Sequence, residues 1–331
     1  MIGLLSMAPF LNSCPSGLAH EPCPWRGCAY GSVRRHPRKD SPIRKGFRLI
    51  GDVALAAGCL GLAPLAKKAA LTAGAAPLPL SVATTAVAAA VALSPLLAAG
   101  PGRTLVGHGR GTWRHVFLVG AMGSGAVVLL SVLAMTETTA TNRSLFQSMY
   151  PVATAVAARF LLAERLSRIA WLIIGVMSAG LFLMNTGPGG IVIGWPFWAL
   201  AATLPLIGLA DVYAKRTLRD ADPRFVAAGR LLFGTAVLLA VLPWTATAQW
   251  SALSAVWWWV LGAGVAMAGG VLGLYRAMQT AGASVAAAFV GLAPVLTATA
   301  EWLLLGTAFA PLQLAGLALV VGGAAALAFR V

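Results

Sequence analysis

The sequence predicts an all-α integral membrane protein of ten transmembrane helices, built as two inverted five-helix repeats. Three observations carry that expectation. The apolar runs are about twenty residues long, the length one helix needs to cross a bilayer. The links between them are short and alternate in basic charge. A weak internal duplication relates the two halves.

Hydrophobic residues make up 59% of the chain and charged residues only 10%, against about a quarter charged in a soluble domain. That much apolar surface exceeds what a soluble core can hide, so lipid must take it. A transmembrane β-barrel would show alternating segments of about ten residues, which the long apolar runs are not. The formal charge of +15 does not point to nucleic acid, because of where the cations stand. Eight of them, from Arg26 to Arg48, crowd the start of the chain, and most others sit in short links. Cations so placed fix orientation in a membrane.

The ten runs cover 47–66, 80–99, 115–135, 141–162, 169–186, 194–214, 224–243, 254–275, 283–305 and 311–329. The second is the weakest, an Ala-rich stretch broken by Pro95. Loop chemistry separates the runs: Pro77-Leu78-Pro79, Pro101-Gly102, Asn185 to Gly190, and Asp220-Ala221-Asp222-Pro223. With the N-terminus cytoplasmic, the inside links receive Arg103, Arg110, Arg114, Arg165, Arg168, Lys215, Arg216, Arg219, Arg224 and Arg276, and Arg330 closes the chain inside. The outside links receive only Lys67, Lys68 and Arg143, and 187–193, 244–253 and 306–310 contain no Lys or Arg. That bias obeys the positive-inside rule and places both termini in the cytoplasm. Trp195, Trp198, Trp244, Trp250, Trp257 and Trp258 fall at the expected outer ends, as an interfacial belt does.

Residues 1–46 form a basic tail expected to be disordered and cytoplasmic. Its Cys14, Cys23 and Cys28 lie near His20 and His36, but the loose gaps interrupted by Pro15, Pro22 and Pro24 are not the paired spacing of a zinc site. No metal is expected. No basic residue precedes Leu11, so a signal peptide is not expected either. Val33 is an alternative start to be tested by N-terminal sequencing.

The duplication appears as Met135 with Met278, Ala140 with Ala283, Pro151-Val152 with Pro294-Val295 and Gly180 with Gly323, each 143 positions apart. Five runs per half is an odd number, so the second half must enter the membrane in the opposite sense. Inverted repeats rocking about a mid-membrane site are the usual construction of secondary transporters. The halves are placed at 47–187 and 191–330.

Leu145 to Leu183, LFQSMYPVATAVAARFLLAERLSRIAWLIIGVMSAGLFL, resembles the end of an EamA-type domain of the drug/metabolite transporter superfamily, and so does Val285 to Leu327. The shared pattern is a helix with a central Pro, a Leu-Gly-Glu-like turn and a Gly-rich helix. Leu162-Ala163-Glu164 matches the turn in the first half, whereas Leu305-Gly306-Thr307 lacks the Glu. The resemblance covers about 47–330 and implies a ten-helix carrier with a central cavity, typically exporting amino acids or related metabolites.

Ionisable groups inside a membrane are functional candidates by default. Glu301 stands seven residues after Pro294 and so about two turns along nearly the same face. A carboxylate there can alternate between a proton and a cationic substrate group, or reach the outer interface instead. Glu137, beside Thr136, Thr138 and Thr139, reads as a vestibule acid or a solvated loop residue. Asp52 follows Arg48 by four residues and Asp211 precedes Lys215 by four, so both read as structural pairs at the cytoplasmic interface. Arg230 matches a basic residue common in the family; it is read first as snorkelling to lipid phosphate, second as attracting a substrate carboxylate. Pro151 and Pro294 each interrupt a helix and free the carbonyl four residues back, at Gln147 and Val290. Gln147, Ser148, Tyr150, Thr297 and Thr299 would add polar groups to a cavity wall there. Gly269 and Gly273 have the spacing that permits close helix contact.

The chain has no phosphate-binding Gly-rich loop with Lys, no H-E-x-x-H and no G-x-S-x-G. No enzyme activity or cofactor is expected, and the function implied by the resemblance is export of a small metabolite across a bacterial inner membrane, with proton exchange as the candidate coupling. The expected partners are the substrate and the lipid bilayer, with a second copy of the chain allowed and nucleic acid not. A lipid-linked sugar or lipid translocase and a non-transporting membrane scaffold are the alternatives.

Overall fold

The computed structural model describes residues 42–98, 109–135, 146, 149–163, 166–185, 194–244, 250–293, 295–296, 299–300, 303 and 310–328. Residues 1–41 of the tail and the candidates Glu137, Gln147, Pro294, Thr297 and Glu301 lie outside the described residues, whereas 42–46, expected to belong to the disordered tail, form the first turn of the first helix.

Among the described residues the chain is helical throughout, without strands. We label the helices α1 (Pro42–Thr72), α2 (Pro77–Ala98), α3 (Arg110–Gly120), α4 (Val127–Met135), α5 (Tyr150–Leu161), α6 (Arg168–Asn185), α7 (Trp195–Thr217), α8 (Pro223–Val241), α9 (Trp257–Ala281), α10 (Ala283–Val290) and α11 (Pro311–Ala328). A π-helical turn, Ala121–Ala126, joins α3 to α4. Among the described residues, six helical stretches are long and apolar enough to cross a membrane: Gly46–Leu71, Pro77–Ala98, Arg110–Ser131, Trp195–Thr217, Pro223–Val241 and Trp257–Ala281. Arg168–Leu183 and Pro311–Ala326 are shorter apolar helices. The fourth and ninth expected runs carry the described helices α5 and α10.

Local chemistry explains several boundaries. Asp222 caps α8, its carboxylate accepting from the Arg224 N–H at 2.7 Å. Pro223 follows in the first turn, where its missing N–H costs no intrahelical bond. Gly282, at φ 92°, turns the chain between α9 and α10 in a conformation that only glycine adopts without penalty. Ala163 takes φ 52° in the turn after α5, a position where the resembling pattern has glycine.

Packing is close because the facing residues are small. An added Cβ at Gly273 would lie 2.7 Å from both Asp52 O and Ala56 N, so α9 and α1 meet backbone to backbone. Gly269 faces Cys59 of α1 in the same contact. The expected glycine spacing therefore serves this α1–α9 seam.

The contacts exchange between halves. Helix α1 packs on α9 and α10, while α7 packs on α3, α4 and α5. Helix α2 packs on α8, and α6 on α11. In the α6–α11 contact Gly180 faces Val320 and Gly323 faces Met177. Gly180 and Gly323 stand 143 positions apart, and so do Met177 and Val320. The surface of the bundle is apolar: Phe160 is 82% exposed and Leu172 67%. Water would penalise such a surface, whereas hydrocarbon does not.

Candidate functional site

Five helical segments place polar side chains around one point in the bundle interior. Asp211 lies six residues before the end of α7, about 9 Å in along the axis. Its side chain is fully buried. Oδ2 accepts two hydrogen bonds from α5, one from the Tyr150 hydroxyl at 2.6 Å and one from the Thr154 hydroxyl at 3.0 Å. Among the described residues no hydrogen bond reaches Oδ1. The nearest cation is Arg230 Nη1 of α8, at 3.7 Å.

Arg230 has three hydrogen-bonded anchors besides its ion pair with Asp211. Nε donates to the Ser124 hydroxyl at 3.1 Å, Nη1 to the Tyr275 hydroxyl of α9 at 3.0 Å, and Nη2 to the Gly123 carbonyl at 3.2 Å. Its guanidinium also lies 5.7 Å from the Tyr275 ring centroid. Gly123 and Ser124 belong to the π-helical turn, where the Val127 N–H reaches back five residues to Met122 O. Such turns present backbone groups that a regular helix would keep in its own ladder. The site needs glycine here. A Cβ at Gly123 would lie 3.1 Å from both Arg230 Nη2 and the Ala210 Cβ, so a side chain would take the guanidinium's space. Gly234 of α8 meets Ser124 as closely, with an added Cβ at 2.4 Å from the Ser124 Cβ.

The arrangement can do two things chemically. Arg230 is a fixed cation, because three anchors hold it whatever the state of Asp211. Asp211 offers one satisfied oxygen and one bare one. A buried acceptor without a donor is costly, so Oδ1 is where a proton or a donor from a ligand would find the largest gain.

The structure places the expected residues unevenly. Tyr150 and Arg230 come together at the network, joined by Asp211. The expected Asp211–Lys215 interface pair is corrected: Asp211 turns inward to α5 and α8, while Lys215 Nζ donates to the Met278 carbonyl of α9. Residues four apart do share a face, but their side chains diverge once one meets a buried cation and the other the end of a neighbouring helix. Arg230 does not snorkel either; its side chain is 12% exposed and committed to three bonds. Asp52 lies 3.9 Å from Arg276 of α9, a partner that sequence spacing cannot reveal. Pro151 stands in the first turn of α5 rather than within a longer described helix, and its ring faces Gly291. Thr299 turns back to its own helix, donating to Val295 O at 2.9 Å. Ser124, Thr154 and Tyr275 were missed by sequence reasoning. The available signal was that Asp211 and Arg230 are ionisable residues of opposite sign inside adjacent apolar runs.

Comparison with known proteins adds two findings. The profile of the EamA-like transporter family matches residues 50–186 and again 193–329. A solved crystal structure, described only as that of a protein, is similar with a TM-score of 0.72 at 20% identity, over 88% of this chain and 99% of the other. That likeness speaks to the fold alone. No curated protein matches the chain.

Proposed function

The chain belongs to the EamA-like transporter family, with both halves matched, and from that premise we propose that it exports a small metabolite across the bacterial inner membrane in exchange for protons. Membership makes it a multi-pass membrane transporter of the drug/metabolite superfamily. The finer reading is a ten-helix carrier of two inverted five-helix halves, 47–187 and 191–330, with both termini cytoplasmic. The exchange of Gly180–Val320 for Met177–Gly323 supports it, since a two-fold axis through the α6–α11 contact would swap these pairs. The substrate proposed is an amino acid or a related compound.

The observation that carries the reading is the fully buried Asp211 with its bare oxygen beside the anchored Arg230. A charged side chain at the bilayer centre costs at least about 2.5 kcal/mol, so such groups persist where they handle ions or substrate. Proton binding at Oδ1 would release Arg230 from its counter-charge without releasing it from its place. That is a two-state element of the kind alternating access requires. Glu301, Glu137, Gln147, Pro294 and Thr297 remain candidates on sequence grounds for the rest of the pathway.

The test uses inside-out membrane vesicles with an acidic interior and a dye reporting the pH gradient. Amino acids, nucleosides, sugars and lipophilic cations are added in turn. One class should collapse the gradient with the wild type and fail with Asp211→Asn. If Asp211→Asn responds like the wild type and Glu301→Gln does not, the coupling acid is Glu301 and the role given to Asp211 is wrong.

A further inference from the structure

Two tyrosines divide the buried ion pair between them. Tyr150 of α5 donates its hydroxyl proton to Asp211 Oδ2 at 2.6 Å, and the Tyr275 hydroxyl of α9 accepts from Arg230 Nη1 at 3.0 Å. The pair itself does not close. Nη1 stands 3.7 Å from Oδ1, beyond hydrogen-bond reach, and Oδ1 accepts no hydrogen bond among the described residues. A guanidinium and a carboxylate this near each other frequently bond directly, because charge-assisted bonds are the strongest open to both. Something holds them apart.

The placement of α9 supplies the reason. Gly273 seats α9 backbone to backbone on α1. Two positions on, about 200° round the helix, Tyr275 leaves on the opposite side and is fully buried. It lies six residues before the end of α9, as Asp211 does before the end of α7. Tyr150 of α5, Arg230 of α8 and Tyr275 of α9 are the ionisable groups that meet Asp211. The others on the helices around α7 are turned elsewhere. His115 of α3 faces Tyr213 with ring centroids 5.5 Å apart, and Arg276 of α9 pairs with Asp52. Arg110 and Arg114 of α3, Arg159 of α5 and Arg224 of α8 are exposed. Helices α4 and α10 carry no ionisable residue.

We propose that Tyr275 is a positioning residue for the exchange: its hydroxyl holds Arg230 Nη1 off Asp211 Oδ1 and so leaves that oxygen open to a proton. A guanidinium bonded directly to Oδ1 favours the ionised carboxylate and competes with the proton for the same oxygen. With Nη1 tied to Tyr275, Arg230 balances the charge of Asp211 without occupying the atom that takes the proton. Ser124 and Gly123 hold the other two nitrogens, so the hydroxyl of Tyr275 is what sets Nη1. Once that hydroxyl is removed, a movement of about 1 Å brings Nη1 within reach of Oδ1 and closes the salt bridge. The effect on transport rests on Asp211 being the coupling acid, whereas the role of Tyr275 is tested on the carboxylate itself.

Infrared difference spectroscopy of the full chain in nanodiscs follows the Asp211 carboxyl from about pH 4 to 10, its band assigned by its loss in Asp211→Asn. Tyr275→Phe keeps the ring and removes only the hydroxyl. Its protonation midpoint should fall by about one pH unit, a roughly tenfold weaker hold on the proton. A hydroxyl with a merely structural role would act the other way, since a drier site disfavours the charged carboxylate and raises the midpoint. Ser124→Ala frees Nε but leaves Nη1 on Tyr275, and should change proton affinity by less than about threefold. In Arg230→Met no cation remains to close on Oδ1, so adding Tyr275→Phe there should not lower the midpoint further. An unchanged or raised midpoint in Tyr275→Phe, an equal fall in Ser124→Ala, or a wild-type Asp211 that does not titrate in this range overturns the proposal. If the midpoint falls as expected but Asp211→Asn still collapses the pH gradient in vesicles, Tyr275 keeps its role and Asp211 loses that of coupling acid. If the midpoint stays and Asp211→Asn fails to collapse the gradient, the coupling acid stands and the role of Tyr275 falls.

Discussion

Two Asp–Arg pairs of nearly equal length sit in opposite surroundings. Asp211 and Arg230 are 3.7 Å apart with side chains 0% and 12% exposed; Asp52 and Arg276 are 3.9 Å apart with side chains 19% and 35% exposed. Distance does not separate them, and burial does. Around the first pair every neighbour is committed: Tyr150 and Thr154 to the carboxylate, Ser124, Tyr275 and Gly123 to the guanidinium. The second pair joins α1 to α9 across a seam already closed by Gly273 and Gly269. A well-packed apolar pair would serve stability at least as well as a buried ion pair does. The inner pair therefore fits the role in handling ions or substrate proposed above, and the outer pair fits a role in orientation and trim.

The largest expected effect comes from removing one inner partner. Arg230→Met should leave a buried carboxylate without its cation and destabilise the protein by about 3–5 kcal/mol. Thermal unfolding in detergent measures this. Adding Asp211→Leu in the same chain should restore part of the loss, since no orphaned charge then remains. A single variant as stable as the wild type would erase the contrast between the two pairs.

The next effect is steric. Gly123→Ala should cost about 1–3 kcal/mol, because its Cβ meets Ala210 and the guanidinium together at 3.1 Å. Gly51→Ala is the control in α1, where an added Cβ meets nothing within 4 Å and stability should not fall. Transport should drop in the first and persist in the second.

The smallest effect belongs to the outer pair. Asp52→Asn should change stability by less than about 1 kcal/mol. That difference should shrink further as salt rises, whereas the cost of Arg230→Met should barely respond to it. Equal salt dependence in both would mean that water reaches Asp211.

How much of this was legible in the sequence follows from what each signal encodes. Helix positions were legible because apolar length and loop chemistry are local: the expected run 194–214 became Trp195–Thr217, and 224–243 became Pro223–Val241. The duplication was legible through Gly180 and Gly323, since both serve the same helix contact. The network was not. Asp211 has a Lys four positions on, and that local pairing hid a partner nineteen positions away on another helix. Helix rotation decides which side chain faces the core, and in Ala-rich runs hydrophobicity is too even around the helix to fix it. The π-helical turn was equally silent, because Met122 to Ala126 reads as a small-residue stretch of ordinary helix.

The most direct test of the central claim compares the two acids in one assay. Inside-out vesicles with an acidic interior are loaded with wild type, Asp211→Asn or Asp52→Asn, each matched for protein amount, and challenged with the responsive compound. The account predicts that wild type and Asp52→Asn collapse the gradient while Asp211→Asn does not. Gradient collapse by Asp211→Asn at the wild-type rate would contradict it.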